Sequence, residues 1–195
     1  LYGTNTDHAI GDDTYSLTDN NSYRSIWDPN GKNIVDFSGS AVDWSISLPF
    51  YNWSENLGVL SGAAVNFENL YSDIPTDLIW FIGQFSDAYG GKGNDTLYGN
   101  ADDNQLFGNE GNDSLEGWEG NDELSGGSGK DVFYFAIGWG VDRIKDFDPT
   151  IDEIILLNEF LQPIDFDRVK IEITDNDTVF ELNSSSQLIV ENFNF

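Results

Sequence analysis

Five side chains with oxygen donors recur at intervals of nine residues in the middle of the chain. They are Asp95, Asn104, Asp113, Asp122 and Asp131, and each follows a glycine-containing stretch. Glycine allows backbone conformations that other residues avoid, so its carbonyl groups can turn toward a common point. Together with the side chains they would present hard, anionic oxygen atoms at regular spacing. Such oxygen atoms bind cations.

The repeating unit is a nonapeptide that runs without insertion from residue 90 to residue 134. The copies read GGKGNDTLY, GNADDNQLF, GNEGNDSLE, GWEGNDELS and GGSGKDVFY. Glycine opens every copy, and position 8 is always apolar: Leu97, Leu106, Leu115, Leu124 and Phe133. A fixed internal period is typical of solenoids. We predict an all-β fold, a right-handed parallel β-roll (a β-solenoid) with flanking antiparallel strands, in which position 8 faces the core.

The donor types favour calcium over other metals. Calcium accepts six to eight oxygen ligands in flexible geometry, whereas zinc prefers nitrogen and sulfur. The chain has no cysteine and one histidine, His8, so we expect several Ca²⁺ ions and no zinc. The candidate metal-site residues lie at positions 1, 3, 4 and 6: Gly90, Lys92, Gly93, Asp95, Gly99, Ala101, Asp102, Asn104, Gly108, Glu110, Gly111, Asp113, Gly117, Glu119, Gly120, Asp122, Gly126, Ser128, Gly129 and Asp131.

Successive strands should lie on opposite faces, so loops 18 residues apart stack on the same edge. The first edge would carry Asp77, Asp95, Asp113 and Asp131, and the second edge Asn104 and Asp122. This prediction treats residues 72–80 and 81–89 as degenerate copies of the nonapeptide, with few ligands in the latter. Each copy would form part of a coil, meaning one turn of the roll. We expect the first edge to hold its ions more tightly.

The charge balance limits the partners. Acidic residues number 35 against 8 basic ones, a formal net charge of -27. Phosphate binding needs basic side chains, so nucleic acid is excluded as a partner. No stretch approaches the roughly 20 apolar residues that span a bilayer, so we expect no membrane span. Because each nonapeptide buries one side chain and the charge is self-repelling, we expect folding to depend on bound metal.

We divide the chain into three parts. Residues 1–71 are an N-terminal β cap with a candidate calcium loop, and their apolar runs at 33–37 and 41–48 read as strands. Residues 72–134 are the roll, degenerate at 72–89 and regular at 90–134. Residues 135–195 form a C-terminal cap, with a helical turn at 158–161 and an antiparallel meander at 169–173, 179–182 and 188–190.

The nonapeptides resemble those of RTX (repeats-in-toxin) proteins, and the flanks are similar to the C-terminal domain of serralysin-type metalloproteases. The similar segments are IWDPNGKNIVDFSG at 26–39 and GVDRIKDF at 140–147. The resemblance implies a calcium held by Asp28, Asn30, Gly31 and Asn33 with an upstream turn containing Gly11 and Asp13, and a capping role for Asp142. It also implies a secreted, extracellular protein of a Gram-negative bacterium, exported by type I secretion machinery, with a secretion signal beyond about Asp165.

No catalytic site is predicted. The zinc-binding His-Glu-x-x-His motif of serralysins is absent from this sequence, and the catalytic domain of a parent protease would lie upstream of Leu1. We interpret the chain as a non-catalytic module that supports folding and secretion of a larger exported protein. Two alternatives stay open. One is a self-associating structural or adhesive protein of a surface layer, filament or biofilm. The other is a carbohydrate-binding module that uses Trp53, Trp80, Trp118 and Trp139.

Overall fold

The computed structural model describes residues 12–16, 24–42, 44–50, 61–66, 77–165, 167, 169–174 and 176–193. These residues form fifteen β-strands and no α-helix. The strands are β1 (Thr14–Ser16), β2 (Arg24–Asp36), β3 (Trp44–Phe50), β4 (Ser61–Asn66), β5 (Asp77–Tyr89), β6 (Thr96–Tyr98), β7 (Gln105–Glu110), β8 (Ser114–Glu116), β9 (Glu123–Ser128), β10 (Val132–Ala136), β11 (Val141–Ile144), β12 (Glu153–Leu157), β13 (Lys170–Ile173), β14 (Thr178–Asn183) and β15 (Ser186–Val190).

Two stacks of parallel strands form the faces of the roll. One face contains β3, β6, β8, β10 and β12. The other contains β1, β2, β5, β7, β9, β11 and β15. Consecutive strands of the repeats alternate between the faces, so one turn takes two nonapeptides. The register confirms this spacing, since Leu97 pairs with Leu115 and Leu106 pairs with Leu124.

Antiparallel strands connect and close the stacks. β4 pairs antiparallel with both β3 and β5, which joins the two faces into one continuous sheet. At the other end, β13, β14 and β15 form an antiparallel meander, as predicted, and β15 adds in parallel to β11. The predicted fold class, a parallel β-roll with flanking antiparallel strands, is confirmed.

The core is a single column of apolar side chains between the two faces. The five position-8 side chains are at most 1% exposed. Above them the column continues into Trp44, Ile46 and Phe85, and below them into Ile144 and Leu188. The flanking residues of each short strand are only partly buried, as in β6 and β8. Each repeat therefore contributes little more than one side chain to the core.

The region before the repeats differs from the prediction in one respect. Residues 81–89 do keep the register, since Ala88 pairs with Leu106 eighteen residues later. Residues 77–80 do not form a separate turn of the roll, because they continue the same strand and Asp77 pairs antiparallel with Asn66. The apolar run LIWFI at 78–82 contains no glycine to turn the chain, so it stays extended. The predicted place of Asp77 on the first edge is wrong.

Two smaller predictions also change. β3 begins only at Trp44, because residues 37–40 form a turn in which the Ser40 N–H donates to the Phe37 carbonyl at 2.7 Å. The predicted helical turn at 158–161 is a single hydrogen-bonded turn, with Leu161 N–H to Asn158 O at 2.9 Å. Leu161 has a positive φ of 56°, which ends any helical continuation.

Candidate metal centre

The first edge carries a ladder of buried carboxylates. The Asp95 N–H donates to Asp113 Oδ1 at 2.7 Å, and the Asp113 N–H donates to Asp131 Oδ1 at 2.8 Å. The three side chains are each 1% exposed. Above Asp95 the ladder continues to Trp44, whose N–H donates to Asp95 Oδ1 at 2.6 Å. Trp44 thus occupies the place that the sequence assigned to Asp77.

The second edge repeats this arrangement on the opposite side of the roll. The Asn104 N–H donates to Asp122 Oδ1 at 2.8 Å, and the Asp122 N–H donates to Asp142 Oδ1 at 3.1 Å. Asp142 is fully buried and lies 20 residues after Asp122, so the cap segment adds a rung to the ladder. The same bond recurs near the N-terminus, where the Asp13 N–H donates to Asn33 Oδ1 at 3.1 Å.

Glycines leave space in which oxygen atoms of two coils converge. A Cβ atom on Gly90, at position 1, would lie 2.5 Å from Asp95 Oδ2 and 2.7 Å from the Gly108 carbonyl oxygen. Gly120, at position 4, has a φ of 135°, and a Cβ there would lie 2.5 Å from the Asp102 carbonyl oxygen. Both positions therefore require glycine, and the space beside each is lined by carbonyl and carboxylate oxygens.

Several carboxylate oxygens in this space lack hydrogen-bond partners. They are the buried Oδ2 atoms of Asp122, Asp131 and Asp142. A buried carboxylate oxygen without a partner is costly, and a cation is the partner that its charge favours. Carbonyls of adjacent coils and one carboxylate per loop are ligands that calcium prefers. The residues of the roll fit calcium.

The electrostatics of the second edge agree with this fit. The pKa of Asp142 is raised to about 9, chiefly by burial and also by the nearby charge of Asp122. Burial likewise raises the pKa of Asp122 to about 7, with a contribution from Asp103. Burial also raises the pKa of Asp131. The folded loops therefore disfavour bare carboxylate charge unless a cation accompanies it.

Main-chain oxygens must supply most of the coordination. The described part of the chain contains no group of three or more His, Cys, Asp or Glu side chains that could hold a metal ion. The position-3 side chains are exposed: Lys92, Ala101, Glu110, Glu119 and Ser128. Lys92 and Glu110 pair with each other at 3.0 Å. If position 3 contributes to metal binding, it does so through its backbone.

The candidate calcium loop of the N-terminal cap is brought together in part. Thr14 pairs with Ile34 in parallel strands, and the Lys32 N–H donates to Asp12 Oδ1 at 2.8 Å. Asp12 and Asp13 therefore lie beside Lys32 and Asn33. Asp28, Asn30 and Gly31 lie within β2, where the structure describes only the backbone, and Gly11 lies outside the described residues.

Sequence reasoning missed a second ladder, formed by position 5. The Asn112 N–H donates to Asn94 Oδ1 and the Lys130 N–H donates to Asn112 Oδ1, both at 2.8 Å. On the second edge the Asn121 N–H donates to Asp103 Oδ1 at 2.8 Å. The signal was present, since position 5 is Asn or Asp in all but the last of the regular copies. Asn and Asp side chains readily bond to backbone groups.

Two acids of the segment that resembles a cap were given no site role by the sequence. The Asp131 N–H donates to Asp152 Oδ1 at 3.0 Å, so Asp152 closes the first edge. Asp146 accepts the N–H of Gly126 at 3.0 Å and that of Gly127 at 2.9 Å. These acids follow their partners by 19 to 21 residues, which departs from the period of 18 and hides them from a repeat search.

Two of the tryptophans named for the carbohydrate-binding alternative, Trp118 and Trp139, pack against each other. Trp118 stands at loop position 2. It is half-buried and stacks on Trp139 at a centroid distance of 5.2 Å, and Trp139 is 5% exposed. The side chain of Trp80 and the whole of Trp53 lie outside the described residues. The stacked pair packs one coil on the next.

This geometry defines a class of protein, a parallel β-roll whose loops form oxygen ladders suited to calcium. The sequence profile of the RTX calcium-binding nonapeptide repeat (four copies) matches residues 87–115, 98–133 and 108–144. Through these repeats the chain belongs to the RTX family of calcium-binding β-roll proteins. RTX repeats are typical of proteins secreted by Gram-negative bacteria. No helix among the described residues has the length and apolar character needed to cross a membrane.

Two solved structures are similar to the chain. The solution structure of the AlgE6R3 subunit of the Azotobacter vinelandii mannuronan C5-epimerase has 30% identity, a TM-score of 0.40, and coverage of 54% of this chain and 70% of that one. The crystal structure of the extracellular lipase LipA from Serratia marcescens has 14% identity, a TM-score of 0.37, and coverage of 96% of this chain but only 37% of the lipase. A search of curated proteins found no match.

Proposed function

We propose that this chain is a non-catalytic calcium-binding RTX module that folds when it meets calcium outside the cell and supports type I secretion and stability of a larger exported protein. One observation carries the proposal. Buried carboxylate oxygens of Asp122, Asp131 and Asp142 have no hydrogen-bond partner and lie in loops lined by carbonyl oxygens of adjacent coils. Bound calcium supplies the positive charge and the coordination positions that these oxygens require.

The energetics of one repeat explain why folding would depend on metal. Ordering the backbone costs about 1–2 kcal/mol per residue. Burying a single leucine such as Leu115 stabilises by about 1.5–3 kcal/mol, which is small against nine ordered residues. Backbone hydrogen bonds between coils narrow the gap but leave the net charge of -27 uncompensated. Metal-binding free energy then contributes directly to folding.

A link between folding and calcium suits export. Extracellular calcium modules bind with dissociation constants of about 10⁻⁴–10⁻³ M, so the roll would be unfolded in the cytosol and folded outside. The absence of cysteine agrees with this route, because no disulfide can form before export. We place the secretion signal beyond about Asp165, in the segment that forms β13 to β15 in the folded state.

The proposal also holds that the carboxylates serve structure and not catalysis. Asp113, Asp122 and Asp131 each accept a main-chain N–H of the preceding coil. A carboxylate held in this way is positioned for coordination between coils.

Circular dichroism during a calcium titration tests the proposal, with magnesium as the control. We expect a cooperative gain of β signal with calcium and little change with magnesium, because magnesium demands a stricter octahedral geometry. The double variant Asp113→Asn with Asp131→Asn should need a higher calcium concentration, whereas Glu110→Gln, at an exposed position, should behave as the wild type. A full β signal and an unchanged Tm in excess chelator would refute the proposal.

A further inference from the structure

Among the regular copies of the repeat, one junction between coils differs from the others in its chemistry. Asn104 occupies position 6, where the other regular copies have aspartate, and it is 1% exposed. Its Oδ1 accepts the Asn100 N–H at 2.8 Å, and its Nδ2 donates to the Ser86 carbonyl oxygen at 2.7 Å. Ser86 lies in the preceding coil, 18 residues earlier.

The donor and the acceptor of the hydrogen bond to the preceding coil are exchanged at this junction. At Asp95 one carboxylate oxygen accepts the Gly91 N–H at 2.6 Å and the other accepts the Trp44 N–H at 2.6 Å. At Asn104 the first of these bonds is kept, but the preceding coil presents a carbonyl oxygen instead of an N–H. An amide N–H can bond to that carbonyl directly, whereas a carboxylate in the same place would need a cation between them.

A second amide completes the junction. Asn100, at position 2, is 3% exposed, and its Nδ2 donates to the Phe85 carbonyl oxygen at 2.9 Å. Its Oδ1 accepts the Asp102 N–H at 2.8 Å and the second Asn104 N–H at 3.1 Å. Every polar atom of both amides is thus used. The orientation of each amide follows from its neighbours, since a flip would set donors against donors.

We infer that Asn104 and Asn100 join the coil containing Phe85 and Ser86 to the first full coil of the roll without a metal ion. The amide of Asn104, in place of a carboxylate, is what excludes the ion from this junction. The amides satisfy the facing carbonyl oxygens of Phe85 and Ser86 by direct hydrogen bonds, and position 6 presents no carboxylate charge at this junction. The inference rests on the proposed calcium function, because it concerns which junctions of the ladder bind calcium. The Asp122–Asp142 rung of the same edge, with its two Oδ2 atoms lacking partners, is the contrasting case.

Two measurements on the full chain test this inference. The first is NMR in saturating calcium: a scalar coupling across the hydrogen bond should connect Asn104 Nδ2 with the carbonyl carbon of Ser86. The second is calorimetric calcium stoichiometry. Asn104→Asp should bind one more ion than the wild type, because its carboxylate would face the Ser86 carbonyl oxygen and Asn100 Oδ1 with no N–H to bond them. The matched reverse change on the first edge, Asp113→Asn, should bind fewer ions than the wild type.

The outcomes separate the two proposals. A missing coupling in the calcium-loaded wild type, or an Asn104→Asp protein with no additional ion, overturns the metal-free junction while leaving the calcium function intact. If Asn104→Asp fails to fold, the coupling in the wild type decides. A wild type that binds no calcium at any concentration up to 10 mM, about tenfold above the weakest extracellular sites, refutes the proposed function itself.

Discussion

The position-6 aspartates use their two carboxylate oxygens for different tasks. In Asp122 and Asp142, Oδ1 accepts an N–H from the preceding coil, while Oδ2 is buried without a partner. The first bond aligns adjacent coils, and the second oxygen remains for a cation. Asn104 contacts the preceding coil through its amide N–H instead and carries no charge, so we expect the type of residue at position 6 to determine where metal can bind.

Glycine at position 4 should matter more through crowding than through strain. Gly120→Ala and Gly138→Ala both place an alanine at positive φ, which costs about 1 kcal/mol in each. Only the Cβ at position 120 would meet a carbonyl oxygen, at 2.5 Å, since nothing lies within 4 Å of that at position 138. We expect the calcium concentration at the midpoint of folding to be about tenfold higher for Gly120→Ala than for Gly138→Ala. Equal midpoints for the two variants, measured by circular dichroism, would contradict a metal site in the space beside Gly120.

Calcium should bind this chain with little release of protons at pH 6, because folding and binding are linked. The pKa values of Asp122 and Asp142 are raised, chiefly by burial, to about 7 and about 9 in the metal-free fold. That fold therefore loses stability as pH rises from about 4, the ordinary pKa of an aspartate, to about 7 and about 9. Under the proposed function the metal-free chain is unfolded at pH 6, so both carboxyls are already ionised before calcium binds.

Calorimetry in buffers of different ionisation enthalpy measures proton release. The binding enthalpy at pH 6 should be nearly independent of the buffer, both for the wild type and for the Asp142→Asn variant. A buffer-dependent enthalpy that becomes smaller in Asp142→Asn would show that the metal-free chain is already folded with protonated carboxyls, which contradicts folding on calcium binding.

At the scale of elements, Asp146 is one of three acids outside the repeats that bond the cap to the roll, with Asp142 and Asp152. Asp146 accepts the N–H groups of Gly126 and Gly127 and the Ser125 hydroxyl, at 2.6 Å for the latter. We expect Asp146→Ala to destabilise the calcium-loaded roll by about 1 kcal/mol, because these bonds lie near solvent. For a chain of this size the Tm should fall by about 2–4 °C.

The control for this variant is Glu159→Ala, an exposed acid in the turn after β12. Thermal unfolding of both proteins in the same saturating calcium gives the comparison. Should the two Tm values agree, Asp146 would not contribute to closing the roll.

The regular repeats were predictable because one local pattern dictates both structure and contacts. Glycine at position 1, an acid at position 6 and Leu106 or its equivalents at position 8 place each strand and its buried side chain. The irregular part was not predictable from period alone. β4 inserts between β3 and β5, which puts Trp44, and not Asp77, next to Asp95.

The site was predicted less completely than the fold. The spacing of nine residues identified the position-6 residues as candidates, whereas Asp142 became a candidate only because its segment resembles the capping segment of the family. The exchange of donor and acceptor at Asn104 was not predicted, since it depends on which backbone group of Ser86 faces the loop. Backbone direction at a junction is a tertiary property that a side-chain pattern does not encode.

For the whole molecule, a net charge of -27 and a slender core should make compactness depend on metal. A folded chain of this length has a radius of gyration of about 16 Å if globular and somewhat more if elongated, against about 47 Å when unfolded. We expect small-angle scattering to show a large expansion in chelator and a return on addition of calcium. A radius that is the same in both conditions would mean that the core alone holds the roll.

The two ladders run in opposite senses along the roll. At position 6 a later side chain holds the N–H of the earlier coil, whereas at position 5 an earlier side chain holds the N–H of the later one. Within the regular repeats, each interior coil is therefore hydrogen-bonded to both neighbouring coils by side chains 18 residues away. Deleting residues 108–125 would remove one full turn, so the remaining side chains would still meet their hydrogen-bond partners. Deleting residues 117–125 alone would remove half a turn, so every loop after the deletion would move to the opposite edge of the roll. Length in this architecture should change by whole turns, so that such a protein grows or shrinks in units of eighteen residues.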